Sequence, residues 1–242
     1  DEDIRFIKEN FSLDEITSKL LSIRNIKRDE INSYLNPSIK NLLPNPNNLV
    51  DMEKSIQRFF KAIKNNEKIG IFGDYDVDGA SSSALLGNYF HKLNLSYETY
   101  IPNRIKEGYG PSKESFDNLI KKDVNIILTV DCGSMSYDAI QFAKSKGIDV
   151  IVIDHHQTEI NLPDAFSIIN PNRFDDKSNL NYLCAAGVTF VFLVALNREL
   201  RLINWFKNQN INEPNLLEFL DLVSLATVCD VVPLVGLNRA LV

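Results

Sequence analysis

From residue 68 onward, short apolar runs of strand length alternate with stretches of helical periodicity. Runs at 68–72, 97–101, 125–130, 149–153 and 166–169 predict strands, and amphipathic stretches at 80–93, 112–121, 137–146 and 185–200 predict helices. Such alternation implies parallel strands joined by crossover helices, so the expected fold is α/β, an open, mostly parallel sheet with helices on both faces. Upstream the pattern changes. Ser12-Leu-Asp-Glu15 has the spacing of a capping box before a helix at 16–23, and a second short helix is expected at 29–35, ended by Asn36-Pro37. Pro44 and Pro46 lie among asparagines in an irregular connector over 42–49. Residues 1–50 are therefore expected to form a small helical lead-in, and 51–242 the main domain. Asp51 is expected to cap a strongly amphipathic helix reaching about Asn66, with Ile56, Phe59, Phe60 and Ile63 on its buried face. A last helix is expected at 215–227, followed by a run to Val242 that stops without a turn or charged tail, as in a fragment of a longer protein.

Composition adjusts this picture only a little. The chain has 242 residues, 44% hydrophobic and 24% charged, within the range of globular proteins. No apolar run approaches membrane-spanning length and the start Asp1-Glu-Asp3 lacks signal-peptide features, so no membrane association and a cytoplasmic location are expected. Cys132, Cys184 and Cys229 are odd in number and widely spaced, and read as reduced thiols rather than a disulfide framework or zinc site. The formal net charge of −6 gives no overall basic footprint for nucleic acid.

The polar residues at the strand ends carry the chemistry. Ile69-Gly-Ile-Phe-Gly-Asp-Tyr-Asp-Val-Asp-Gly79 ends an apolar run in three aspartates at alternate positions, so Asp74, Asp76 and Asp78 can converge on one small volume. Three close carboxylates repel one another unless a cation neutralises them, and hard divalent ions such as Mg²⁺ or Mn²⁺ are the natural counterpart. The competing reading is an Asp-rich turn that caps the next helix. Asp131 and Asp154 each follow another apolar strand directly, at the edge where open α/β sheets build their sites. His155 and His156, two of the three histidines, follow Asp154 at the same edge, whereas His91 lies on a helix and reads as an ordinary packing or surface residue. Gly79 and Gly133 are expected where backbone passes close to ions or phosphate.

Asp74-Tyr-Asp-Val-Asp-Gly, Asp131-Cys-Gly-Ser and Asp154-His-His resemble the first three motifs of the DHH phosphoesterase superfamily. More narrowly, Gly73-Asp-Tyr-Asp-Val-Asp-Gly-Ala-Ser-Ser-Ser, Pro102-Asn-Arg-Ile-Lys-Glu-Gly-Tyr-Gly110, Cys184-Ala-Ala-Gly-Val188 and Cys229-Asp-Val-Val-Pro-Leu-Val-Gly-Leu-Asn-Arg239 are similar to the RecJ family of single-strand-specific exonucleases. The resemblance implies a two-metal phosphodiesterase using two Mn²⁺ or Mg²⁺ ions and hydrolysing single-stranded DNA from 5′ to 3′ in recombination and repair. It implies Asp74, Asp76, Asp78, Asp131, His155 and Asp230 as metal ligands, with Asp131 bridging, and makes Asp131, His155 and His156 the catalytic set. His156 is expected on the scissile phosphate, with Arg104 and Ser81 as further substrate-binding candidates and Asp154 orienting a histidine. For Ser81, Ser82 and Ser83 the alternative is capping of the helix after Gly79; for Arg104 and the 107–110 loop it is a structural turn. Such enzymes carry, beyond this domain, a Gly-Gly-His phosphate-binding domain and an OB-type domain, neither present here. This piece is thus expected to be a weak exonuclease, and single-strand-binding or helicase partners to act through the missing domains. Other readings are an oligoribonuclease or cyclic-dinucleotide phosphodiesterase, and a non-catalytic scaffold module, which would be expected to lose metal ligands.

Overall fold

The computed structural model describes residues 2–242. In chain order the first half runs α1 (Glu2–Phe11), α2 (Glu15–Ile23), α3 (Ile31–Leu35), α4 (Ile39–Leu42), α5 (Met52–Lys64), β1 (Ile69–Gly73), α6 (Val77–Lys92), β2 (Tyr97–Tyr100) and α7 (Lys113–Ile120). The second half runs β3 (Ile126–Val130), α8 (Tyr137–Ser145), β4 (Asp149–Ile153), β5 (Ser167–Ile169), α9 (Ala185–Leu202), α10 (Trp205–Gln209), α11 (Leu220–Cys229) and α12 (Gly236–Leu241). Two compact units result: residues up to Leu43 together with Leu234–Leu241, and Pro44–Pro233 with Val242.

In the small unit Ile7, Leu21 and Ile31 are buried among Phe6, Phe11, Leu13, Ile26, Tyr34 and Leu35. Helix α2 is capped by Asp14, whose carboxylate accepts from the Thr17 N–H at 2.9 Å and the Thr17 hydroxyl at 2.6 Å. The expected Ser12 box does not form, because Asp14 saturates the helix start and Ser12 turns into the left-handed region at φ 52°. Arg239 of α12 lies 3.8 Å above the Tyr34 ring, tying the two ends of this unit together.

The large unit is the expected α/β fold. Its sheet has the order β2-β1-β3-β4-β5, and every pairing is parallel. Central strands buried on both faces explain the continuous apolar runs: all five residues of β1 and of β3 are buried. Alternate residues Phe72, Ile127, Val150, Val152 and Ile168 pack with Phe116 and Leu119 of α7 and Ile140 and Ala143 of α8. On the other face, Phe59 of α5 stacks on Phe90 of α6 at 5.2 Å and meets Phe192 of α9 edge-on at 5.8 Å. Arg58 of α5 ties that helix to the sheet through Glu67 and Asp149.

Two local expectations change. Asp51 precedes α5 as foreseen but makes no capping bond: its carboxylate accepts from the Ile168 N–H at 3.0 Å and from Arg173 at 2.7 Å. The charge-assisted tie to a distant element displaces the local one. The helix expected at 215–227 begins as a 3-10 turn, Leu216–Phe219, before α11.

Gly79 is demanded by a close approach and not by its dihedral. A Cβ there would lie 2.5 Å from the Asp74 carbonyl oxygen, because the first turn of α6 folds back over the end of β1. Gly133 needs both freedoms, with φ at 112° and a Cβ position 2.5 Å from Thr129 Oγ1. Gly79→Ala should accordingly lower stability by about 1–3 kcal/mol through overpacking, read as a reduced urea midpoint at unchanged m-value. A variant with the parent's midpoint would show that this junction has room to spare.

Candidate metal centre

The ladder that pairs the strands also aligns their ends. Gly73 pairs with Val130, Val130 with Ile153 and Ile153 with Ile169, so the next residues, Asp74, Asp131, Asp154 and Asn170, stand side by side. The ladder runs one step further, with Asp74 N–H donating to Val130 O, Asp131 N–H to Ile153 O and Asp154 N–H to Ile169 O. Adjacent strands lie about 4.8 Å apart, which sets the spacing of the row. The strand order reverses between β1 and β3, which are neighbours with their connections running to opposite sides, and their ends carry Asp74 and Asp131. Asp131 then takes a left-handed conformation, φ 62°, which turns the chain away from the strand after a single residue.

The other candidates converge here from separate elements. Ligand atoms of Asp74, Asp76 and Asp131 lie within 4.8 Å of one another, as do those of Asp131, His155 and His156 and those of Asp78, His155 and Asp230. Asp131 and His155 each belong to two of these groups, which therefore form one continuous centre. His155 Nε2 sits 3.3 Å from Asp131, 3.6 Å from Asp78 and 3.6 Å from Asp230. Asp230 ends α11, and Val231 after it has φ 59°, a costly conformation for a β-branched side chain at the edge of the site.

The Asp-rich turn does cap the next helix, and its three acids do not alternate along a strand: β1 ends at Gly73 and α6 begins at Val77, so Asp78 groups with His155 and Asp230 and not with Asp74 and Asp76. Asp76 caps α6, accepting from the Asp78 and Gly79 N–H groups at 2.9 and 3.0 Å. Asp78 is buried at the start of α9 and accepts from Ala185 and Ala186 at 2.6 and 2.8 Å, which accounts for the small residues of the Cys184-Ala-Ala-Gly stretch. Since Asp76 performs the capping, Ser81, Ser82 and Ser83 do not: they lie buried within α6. Arg104 is exposed and rests 5.1 Å from the Tyr75 ring, next to Asp74.

Asp154 is committed to structure. One oxygen accepts from His155 N–H at 2.7 Å, His156 N–H at 3.2 Å and His156 Nδ1 at 2.8 Å, and the other from Ser134 N–H at 3.0 Å. Burial would raise its pKa, but the hydrogen bond and charge of His156 outweigh burial and hold the carboxyl at about 2. The same bond to Asp154 raises His156. Tyr109 joins this network, its hydroxyl donating to Asp131 O at 3.1 Å and lying 3.3 Å from His156 Nδ1. Beside them a cleft of about 540 Å³ is lined by residues including Tyr109, Met135, Tyr137 and His156.

The remaining acids are placed against their own charge. Burial raises the carboxyl pKa of Asp74, Asp78, Asp131 and Asp230, and neighbouring carboxylates raise it further: Asp76 beside Asp74, Asp230 beside Asp78, and Asp78 with Asp76 beside Asp131, which reaches about 10. Asp74 Oδ1, Asp131 Oδ2, His155 Nε2 and Asp230 Oδ2 are buried with no hydrogen-bond partner. Four orphaned ligand atoms on one centre fit a divalent cation or a pair, which would satisfy the lone pairs and cancel the repulsion.

A model of the DHH family, N-terminal domain, matches residues 68–227, and the chain belongs to that family. Among curated proteins it is similar to the single-stranded-DNA-specific exonuclease RecJ of Escherichia coli (strain K12), 42% identical over 208 residues that take in 86% of this chain and 36% of that protein. The crystal structure of exonuclease RecJ bound to manganese matches with TM-score 0.67 at 30% identity, over 80% of this chain and 46% of that one. RecJ of Thermus thermophilus in complex with Mn²⁺ matches with TM-score 0.75 at 26% identity, over 99% of this chain and 32% of that one. The chain thus spans about a third of the length of the curated relatives it matches.

Among the residues now at the site, sequence reasoning passed over Asn170 and Asn172 and gave Tyr109 no role of its own. Asn170 was open to the strand-end rule that singled out Asp131 and Asp154, since it directly follows β5.

Carboxyls raised in the folded state stabilise it fully only below their unfolded pKa, near 3.8, and that contribution is lost as pH rises through the folded values, up to about 10 for Asp131. The metal-free protein should therefore melt at a lower temperature at pH 8 than at pH 5.5. Mn²⁺ at a hundred times its dissociation constant should raise the pH 8 melting point by about 5–10 °C. A flat pH profile with no response to Mn²⁺ in differential scanning calorimetry would contradict this account of the cluster.

Proposed function

We propose that this chain is the catalytic portion of a metal-dependent phosphodiesterase, an exonuclease acting on single-stranded DNA. The observation that carries the reading is the set of partnerless buried ligand atoms on Asp74, Asp131, His155 and Asp230, within a chain 42% identical to a single-stranded-DNA-specific exonuclease. Asp74, Asp76, Asp78, Asp131, His155 and Asp230 would hold two Mn²⁺ or Mg²⁺ ions, with Asp131 shared, and the mixed Asp and His donors favour Mn²⁺. When bound, such a pair supplies a nucleophilic hydroxide at neutral pH and stabilises the leaving oxygen of an in-line displacement.

The chain's own residues supply positioning. Asp154 accepts from Nδ1–H of His156, which fixes the ring and leaves Nε2 as its other polar atom. Because Asp154 also raises the pKa of His156, the ring can carry a proton at Nε2 and donate it in a hydrogen bond to a phosphate oxygen. That makes His156 the phosphate contact and leaves ion binding to His155. The cleft beside His156 gives the adjoining nucleoside room, and exposed Arg104, against the Tyr75 ring, is a further candidate contact for backbone phosphate. Polarity from 5′ to 3′, a role for Ser81, and single-strand-binding or helicase partners rest on family resemblance. Among the described residues no helix is long and apolar enough to cross a membrane. A scaffold role finds no support in a centre whose ligand set is intact.

A 3′-labelled single-stranded oligonucleotide incubated with this chain and Mn²⁺ should be progressively shortened, and its fully duplex form spared. Asp131→Ala should reduce turnover at least about a hundredfold, the equivalent of about 2.7 kcal/mol of transition-state stabilisation. Undiminished cleavage by Asp131→Ala would remove the two-ion assignment, and cleavage confined to oligoribonucleotides or cyclic dinucleotides would replace the substrate.

A further inference from the structure

The two histidines of the centre lie on a segment with no regular secondary structure, between β4 and β5. Their backbone polar groups are nevertheless all taken, and every partner is a side chain. Asp154 accepts from both N–H groups, at 2.7 Å for His155 and 3.2 Å for His156. The carbonyls are held by two asparagines: Asn172 Nδ2 donates to His155 O at 2.5 Å, and Asn170 Nδ2 donates to His156 O at 3.0 Å.

Asn170 does more than hold one carbonyl. It is wholly buried at the end of β5, and its second Nδ2 proton goes to Ser134 Oγ at 2.8 Å, in the loop that begins with Asp131. Its Oδ1 accepts from the Asn172 N–H at 2.8 Å. With both protons donated to oxygens and the oxygen facing an N–H, the amide orientation is determined by its surroundings. One side chain thus fastens three loops at the sheet edge: that of Asp131 after β3, that of the histidines after β4, and its own.

We propose that Asn170 is a positioning residue for the metal centre. Its amide sets the distance between the His155–His156 segment and the Asp131 loop, and Asn172 secures the neighbouring carbonyl. The inference rests on the two-ion reading above. An aspartate at this position would keep the shape but turn acceptors toward the His156 carbonyl, so the site requires an amide and not merely a small polar group.

The test compares Asn170→Ala and the milder Ser134→Ala with the parent chain, measuring Mn²⁺ binding by isothermal titration calorimetry and electron paramagnetic resonance, and melting temperature without metal. Asn170→Ala should weaken Mn²⁺ binding about 10–100-fold, as loss of a group orienting metal ligands does elsewhere. Ser134→Ala, which removes one of the three bonds and is the safeguard should Asn170→Ala fail to fold, should weaken it less but measurably. Activity on single-stranded DNA should recover substantially when Mn²⁺ is raised above the new dissociation constant, in variants whose metal-free melting temperature stays well above the assay temperature, so that rescue by stabilising the fold is excluded. Folded variants that bind Mn²⁺ within twofold of the parent would overturn the positioning role. A parent chain that binds no Mn²⁺ at all would overturn the two-ion reading beneath it, and this inference with it.

Discussion

The register of the parallel ladder is the constraint on which the centre depends. Because Gly73, Val130, Ile153 and Ile169 are paired in line, the next residue on each of four strands occupies equivalent positions along one edge. A slip of one residue in any strand would turn its polar end residue to the other face and its core residues toward the wrong helices. The hydrophobic packing that forbids such a slip, Phe72, Ile127, Val152 and Ile168 on one face alone, therefore also enforces the placement of Asp74, Asp131, Asp154 and Asn170. Core and site are specified by the same contacts.

That arrangement concentrates negative charge, and the fold offsets part of it before any ion arrives. Asp76 and Asp78 sit at the amino ends of α6 and α9, where backbone N–H groups and the positive end of each helix dipole favour a carboxylate. Asp154 is neutralised by His156 and by backbone donors. Asp74, Asp131 and Asp230 each keep a buried oxygen with no partner. The division is informative: Asp78 and Asp154, whose two oxygens each accept a hydrogen bond, orient the frame, and the acids with an orphaned oxygen lie where a cation would satisfy it.

Two left-handed turns also shape the centre. Asp131 and Val231 both adopt left-handed conformations, one within the centre and one directly after its last acid. Asp tolerates that region far better than a β-branched Val, so Val231 marks a strained turn directly after Asp230. Together with the two crowded glycines, these positions show a backbone bent to bring strand ends, a helix start and a helix end into a small space.

The sequence by itself determined the alternation of strands and helices, the sheet edge that carries chemistry, and the acids and histidines that follow β1, β3 and β4. Those features are local: periodicity and the residue after an apolar run can be read without knowing what packs where. The tertiary structure alone decided the strand order 2-1-3-4-5, which seats Asp74 beside Asp131. It also decided the bond from Asp78 to α9, the arrival of Asp230 beside His155, and the diversion of Asp51 from capping α5 to binding Arg173. Each of these last three contacts joins residues at least 70 positions apart in the chain, where short-range patterning carries no signal. For Asp230, resemblance alone had named the residue, and the fold supplied the physical reason.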